Sequence, residues 1–306
     1  MIYGLRHRTI YTYGAEVGFA RCVLRLTPAT SATQTVLHSA LQITPPPAFR
    51  EERIGPFGER VTTVIIQTPH RSLQIEATAR VDVNAPSIDP SRQSLPWETV
   101  RDQTLAGSEL GPLGPAAYLY PTARTRLVDA ITDYARSSFS PGRPVLAAGI
   151  DLMRRMHAEF VFDADATEVS TPAGEAFQAR RGVCQDFAHI MISGLKGLGL
   201  PAAYVSGYLR TIPPAGQPRL EGADATHAWV SLWCGDELGW IGFDPTNAVL
   251  AQNDHIVLAT GRDYSDVAPI DGIILAPEGQ TLKVQVDVIP EPEPIASAPA
   301  NLTMVR

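Results

Sequence analysis

Nowhere does the chain hold a run of about 18 uncharged apolar residues, so no membrane-spanning helix is expected. The opening MIYGLRHRTIYTYG alternates polar and apolar residues and lacks the apolar centre of a signal peptide, which predicts no secretion. No lipidation motif marks the other end. Positive charge is scarce as well. Against 32 Asp and Glu stand 25 Lys and Arg, and a formal charge of -7 cannot neutralise a phosphate backbone, so neither nucleic acid nor an anionic membrane is an expected partner. Cysteine is sparse and odd in number: Cys22, Cys184 and Cys234 cannot build a disulfide framework and suit a reducing compartment. These absences predict a soluble, cytoplasmic protein with free thiols.

What is present suits a globular chain. With 44% hydrophobic residues it can bury a sizeable core, and 306 residues exceed the usual span of one core, which predicts two domains. From Leu5 to Val83, segments such as RHRTIYTY, ARCVLRLTP, RVTTVIIQTP and LQIEATARVDV alternate with period two and are rich in Val, Ile, Thr and Tyr. Gly14, Gly18, the Pro45 to Pro47 run and Gly55-Pro56-Phe57-Gly58 punctuate them at the short spacing of an antiparallel sandwich. Residues 1–83 therefore read as a small all-β sandwich domain. The Pro- and Ser-rich passage that follows suits neither helix nor central strand, and 84–96 is assigned as a linker.

Helical spacing then appears in Ala123–Ser137, in Pro144–Phe160 and from Cys184 to Gly197, where Gly199 and Pro201 end the pattern. Strands return in AAYVSGYL, THAWVSLWC, GWIGFDPTN, a stretch from His255 to Thr260, and TLKVQVDVIP. Helices followed by an antiparallel sheet predict an α+β domain over 97–289. Residues 290–306, rich in Pro and Glu with little to bury, are expected to be a disordered tail.

Chemistry concentrates in Arg180-Arg181-Gly182-Val183-Cys184-Gln185-Asp186-Phe187, a glycine turn that delivers a cysteine onto the start of a helix. Unpaired N–H groups and the helix dipole stabilise a thiolate there, and the same N–H groups can hold an oxyanion. A thiol needs a base. His227 in THAWVSLW supplies an imidazole on a strand, with Trp229 on the same face. Asp244, which ends the apolar strand GWIGFD, supplies a carboxylate that would fix the imidazole tautomer if the two strands are neighbours.

In that order, GVCQDFAH, THAWVSLW and GWIGFDPTN resemble the transglutaminase-like superfamily, its bacterial members in particular. GRDYSDVAPIDGI, from Gly261 to Ile273, is similar to their C-terminal signature, and the strand-rich N-terminal residues resemble the all-β region that precedes their core. The resemblance implies a papain-like core, Cys184, His227 and Asp244 as catalytic residues, a peptide or protein substrate, and no organic cofactor. One departure matters. The animal enzymes follow their glycine with Gln-Cys-Trp, whereas here Val183, Cys184 and Gln185 follow Gly182, and the missing aromatic argues against glutamine-selective cross-linking.

Other residues admit competing readings. Gln178 lies six positions before Cys184, a separation that resembles the oxyanion glutamine of papain-like proteases; the alternative is a solvated helix residue. Trp229 and Trp240 are candidates to line a substrate cleft, or else pack in the core. Asp186 and His189 provide two ligands without a third, short of a zinc site, and Asp163 with Asp165 fall short of the six to eight oxygens calcium takes, so no metal is expected. The expected function is acyl transfer from a peptide, amide or isopeptide carbonyl through a thioester, with hydrolysis favoured over cross-linking. The alternative is a non-catalytic binding module that keeps the fold.

Overall fold

The first six strands are β1 (Ile2–Val17), β2 (Ala20–Leu24), β3 (Gln34–Thr44), β4 (Phe49–Ile54), β5 (Arg60–Ile66) and β6 (His70–Val83), with burial alternating most regularly in β1 and β6. In β1 the buried side chains Tyr3, Leu5, His7 and Thr9 take every second position, which places them all on one face. The computed structural model of the protein describes residues 1–107, 111, 114–211, 224–275 and 279–291.

Helical segments follow: α1 (Trp97–Ala106), α2 (Asp129–Arg136), α3 (Val145–Glu159), α4 (Ala173–Ala179) and α5 (Cys184–Gly197). Two short parallel strands, β7 (Val161–Phe162) and β8 (Arg181–Gly182), pair just before α5. The chain then forms β9 (Ala202–Leu209), β10 (Ala225–Trp233), β11 (Trp240–Asp244), β12 (Val249–Leu250) and β13 (His255–Gly261), a turn of helix α6 (Tyr264–Val267), and finally β14 (Ile270–Ile274) and β15 (Gln280–Pro290). No helix among the described residues is long and apolar enough to cross a membrane.

The antiparallel sheet β12-β11-β10-β9-β13 carries α5 on one face. Ala228, Val230 and Leu232 share one core with Phe187, Ile190, Met191 and Leu195, so alternate residues of β10 meet the apolar stripe of the helix. Residues 185–196 of α5 are all buried, which makes it the central helix of the α+β half. The spacing that suggested a helix from Ala123 overshoots its start. Thr122 and Thr125 bond each other through side chains and backbone, holding that stretch as a turn, and Leu127 is left 52% exposed before α2 begins at Asp129. Segments α1 and α4 form helices that periodicity did not single out, both being short.

Two four-stranded antiparallel sheets, β15-β1-β6-β3 and β14-β2-β5-β4, face each other across Leu73, Ile75, Val64, Ile66 and Leu24. Their outer members correct the boundaries read from the sequence. Strands β14 and β15, expected within 97–289, pair with β2 and β1 of the N-terminal sandwich. Sheet pairing depends on edge geometry and buried face, not on distance along the chain, and β1 would otherwise present a long bare edge. Pro290 and Glu291, expected to begin the tail, are held too: Pro290 faces Tyr3, and Glu291 donates its N–H to Ile2 O at 2.8 Å. Residues 292–306 lie outside the described residues.

The long strands β1 and β6 also weld the halves together. Beyond the sandwich core their Tyr3, Leu5, Val81 and Val83, with Val286 and Val288 of β15, pack on Tyr208, Ile256 and Leu258 of the five-stranded sheet. Each large aliphatic side chain buried in this way contributes about 1.5–3 kcal/mol. Gln34 adds polar stitching, its amide donating to Val257 O at 2.8 Å and accepting from Val257 N–H at 2.9 Å. The segment assigned as a linker is itself tied down, with Ala85 N–H on Asn253 Oδ1 at 2.9 Å and Ile88 packed on the helical core.

A fragment ending at Val83 is therefore expected not to fold alone, since it lacks β14, β15 and the β9–β13 surface. The check is thermal unfolding followed by circular dichroism. A cooperative transition in the 1–83 fragment would contradict this architecture.

Candidate active site

Arg180 closes α4 in the left-handed region (φ 53°), with its guanidinium stacked over Phe160 and Phe177 at 4.6 and 4.5 Å. Arg180 is thus engaged in packing. The chain then passes through Gly182, where an added Cβ would lie 2.5 Å from Asp186 Oδ2, so only glycine lets Asp186 fold back beneath the turn. Asp186 Oδ2 accepts Val183 N–H at 2.8 Å and the Thr167 hydroxyl at 2.6 Å. This is half of a capping box, since valine at the N-cap has no side-chain acceptor to complete it. It fixes the angle at which Cys184 enters α5 as its first residue. Cys184 is partly exposed, and neither its N–H nor that of Gln185 has an acceptor among the described residues. The Gln185 side chain is anchored to Val169 O at 3.0 Å.

Antiparallel pairing of β10 with β11 brings the histidine and the aspartate together. His227 Nε2 bonds Asp244 Oδ2 at 2.8 Å, which leaves Nδ1 as the ring nitrogen for Cys184, a neighbour whose interaction raises the His227 pKa. Asp244 has no exposed surface. Its Oδ1 accepts the N–H groups of Thr246 (3.0 Å) and Asn247 (3.1 Å), while Oδ2 also accepts from His255 Nε2 (3.1 Å) and Asn247 Nδ2 (2.7 Å). Burial alone would raise the Asp244 pKa, but His227, His255 and Asn247 outweigh it and hold the carboxyl well below its ordinary value. For His227, burial opposes the charge, yet donation to Asp244 and the interaction with Cys184 push its pKa up to about 10. The ring is built to carry a proton next to a thiol.

His255 and Asn247 were not singled out in the sequence. His255 opens β13, and its Nδ1 lies 3.4 Å from Gln252 N–H, an arrangement that puts the ring proton on Nε2, aimed at Asp244. The one available signal was Asp-Pro-Thr-Asn, whose aspartate caps its own turn and whose asparagine, three residues on, folds back to it. Nothing in spacing could find His255, which reaches Asp244 from a different strand.

The remaining candidates separate. Gln178 is exposed on α4 and has no bond to Cys184 or His227 among the described residues. His189 is buried, accepts Tyr264 N–H at 3.3 Å and is pulled down to a pKa of about 4 by burial, while Asp186 is committed to its turn. These two do not form a metal pair. The described residues that do bring three ligand atoms together, within 4.8 Å, are His227, Asp244 and His255. In the tautomers above, both Nε2 atoms offer protons rather than lone pairs to Asp244, so the group is a hydrogen-bond network. Trp229 stacks on His227 at 6.1 Å and meets His255 at 5.1 Å, lying across Gly207, where a Cβ would come within 2.5 Å of its ring. Trp229 and Trp240 line a cavity of about 490 Å³ between the five-stranded sheet and the β-sandwich, which Cys184 and His227 do not line. Both tryptophans therefore stand at a space behind the thiol–imidazole pair.

Known proteins align with the chain in two parts. Residues 3–82 match the bacterial transglutaminase-like N-terminal region, and residues 124–245 match the transglutaminase-like superfamily. An uncharacterized protein of Mycobacterium tuberculosis is 38% identical over 297 residues, covering 94% of this chain and 92% of the relative. A protein-glutamine gamma-glutamyltransferase of Pseudomonas aeruginosa is 29% identical over 146 residues, 46% of this chain and 22% of its own length. Among solved structures, a candidate cysteine protease from Cytophaga hutchinsonii superimposes with a TM-score of 0.74 at 22% identity, covering 95% of this chain and 92% of that one, a likeness of fold.

Two outcomes are expected of this geometry. Iodoacetamide near pH 7 should alkylate Cys184 well ahead of Cys22, whose pKa burial pushes up to about 11, and ahead of Cys234, also raised by burial; equal labelling of the three would contradict an activated thiol. The second outcome concerns stability. Folded His227 keeps its proton to about pH 10, whereas the unfolded chain loses it near 6.5. Its stabilising contribution is therefore complete below about pH 6.5 and lost as pH rises toward 10. The difference in denaturant midpoint between wild type and His227→Ala should shrink across that window, and a difference independent of pH would remove the charged pair.

Proposed function

The chain belongs to the transglutaminase-like superfamily, and from that premise we propose that it is a cysteine-dependent acyl-transfer enzyme acting on a peptide, amide or isopeptide carbonyl. The observation that carries the reading is the bond from His227 Nε2 to buried Asp244, which leaves Nδ1 available for the neighbouring Cys184 at the start of α5. A histidine in a merely structural network would have no reason to present its second nitrogen to a partly exposed cysteine.

In this mechanism Cys184 gives its proton to His227 Nδ1, and the thiolate attacks the carbonyl carbon. The oxyanion that forms is met by the unclaimed N–H groups of Cys184 and Gln185. Collapse breaks the C–N bond, His227 hands the proton to the leaving amine, and a thioester remains on Cys184. Water, deprotonated by the same nitrogen, then attacks the thioester; the C–S bond breaks, a carboxylic acid leaves, and thiolate and imidazolium are restored. Asp244 orients the ring and stabilises its charge throughout. No aromatic follows Cys184 to favour glutamine donors, and water is the acceptor always at hand, so hydrolysis is the favoured outcome. Transfer to an amine is the second outcome; the name of the Pseudomonas relative is that of a glutamyltransferase.

Incubating the protein with a peptide pool and weighing the intact enzyme should reveal an acyl adduct on Cys184, with added lysine analogue separating hydrolysis from transfer by product mass. Cys184→Ala should form no adduct, and Cys184→Ser should not rescue turnover, because an alcohol is far less acidic than a thiol. An adduct mapped elsewhere would overturn the assignment. Asp244→Asn, which keeps the shape but favours the wrong tautomer, is expected to lower the rate by roughly 10²–10⁴-fold. His227→Ala should cost at least as much, and the double variant little more, since residues acting as one unit are not additive. Multiplicative losses would mean the two act independently.

A further inference from the structure

The cavity behind the triad is lined with four aromatic side chains, Phe57, Tyr118, Trp229 and Trp240, and one carboxylate, Glu59. Phe57 and Tyr118 ring centroids lie 5.8 Å apart, and Tyr118 meets Trp240 edge-on at 5.1 Å, so these three form a continuous aromatic wall. Glu59 is 2% exposed. Its carboxylate folds over Gly55 and, among the described residues, takes a single hydrogen bond, from Phe57 N–H at 2.9 Å. Among the described residues no cation pairs with it. Arg262, whose guanidinium stands 5.5 Å from the Phe57 ring, is committed to Asp266 by two bonds of 2.9 and 3.1 Å. A buried carboxylate with so few donors is costly to keep, whereas the five donors around Asp244 show how this protein satisfies such a group when the role is purely internal.

We propose that this cavity binds a small organic ammonium ion carried on an apolar body, with Glu59 as its counter-ion and the aromatic wall as its cage. Ring faces attract cations within about 6 Å, and the attraction grows when water is excluded. A volume of about 490 Å³ falls within the range of small-molecule sites, and the position between two packed halves is where such sites form. The bound cation is not the acyl acceptor, because Cys184 does not line the cavity. It would instead rest against Trp229 and His255, the two residues that also touch His227 and Asp244.

The test is titration of the full chain at pH 7 with phenethylammonium chloride and, separately, with the uncharged 2-phenylethanol, followed by calorimetry and tryptophan emission. The ammonium should bind at least about tenfold more tightly than the alcohol. Glu59→Gln keeps an oxygen for Phe57 N–H, so it should leave the thermal midpoint unchanged while weakening the ammonium to the level of the alcohol. Binding should persist unchanged in Cys184→Ala, which makes the result independent of the acyl-transfer reading. Equal affinity for the two probes, or full ammonium affinity in Glu59→Gln, would overturn the assignment of the cation. A flat response in both heat and emission with either probe would overturn the site.

Discussion

Asp244 holds its negative charge with no exposed surface, and a carboxylate so placed is destabilising by several kcal/mol unless donors surround it. Five donors do: two backbone N–H groups of its own turn, the Asn247 amide and two imidazoles. The requirement reaches well beyond one residue. To supply those donors, β10 must pair with β11, β13 must start at His255, and the turn after Asp244 must close on itself. Satisfying the charge therefore assembles three strands in one register, and the orientation of the His227 ring follows from it.

The second organising contact is the seam between the sandwich and the α+β half. Strands β1 and β6 are long enough to serve two cores, one facing β2 and β5 and one facing β9 and β13. The seam leaves a space on the face of the sheet away from α5, where His255 and Trp229 form part of the wall. The histidine that completes the carboxylate network is thus also a wall of the interdomain cavity. A change in how the halves sit together would be felt at Asp244 through one side chain.

Local signals were legible in the sequence where the structure depends on short stretches of chain. The glycine turn before Cys184, the helix that follows, the strand alternation of THAWVSLW and the aspartate ending GWIGFD each encode their geometry within about ten residues, and the papain-like, transglutaminase-like core follows from them. What could not be read was set by pairing between distant segments. His255 reaches Asp244 only because β13 lies beside β9, and β15 joins β1 across almost the whole chain. Periodicity also misled where turn chemistry prevailed, as in the Thr122–Thr125 hydroxyl bonds that delay α2. The Pro- and Ser-rich passage after Val83 looked like free linker by composition, yet Asn253 and the helical core hold it in place.

The return of β14 and β15 to the first sheets makes the α+β half an insertion within the sandwich, and this has a consequence during synthesis. The edge of β1 leaves the ribosome long before its partner β15. At about 5–20 residues per second the N-terminal strands wait on the order of 10–60 s for β15. Throughout that interval β1 presents a long open edge able to pair with another nascent copy. The inserted helices and sheet, whose pairings lie within their own stretch of chain, have no such wait. The order of completion differs from the order of translation: the inserted half can close first, and the β1 edge is covered only when β15 arrives.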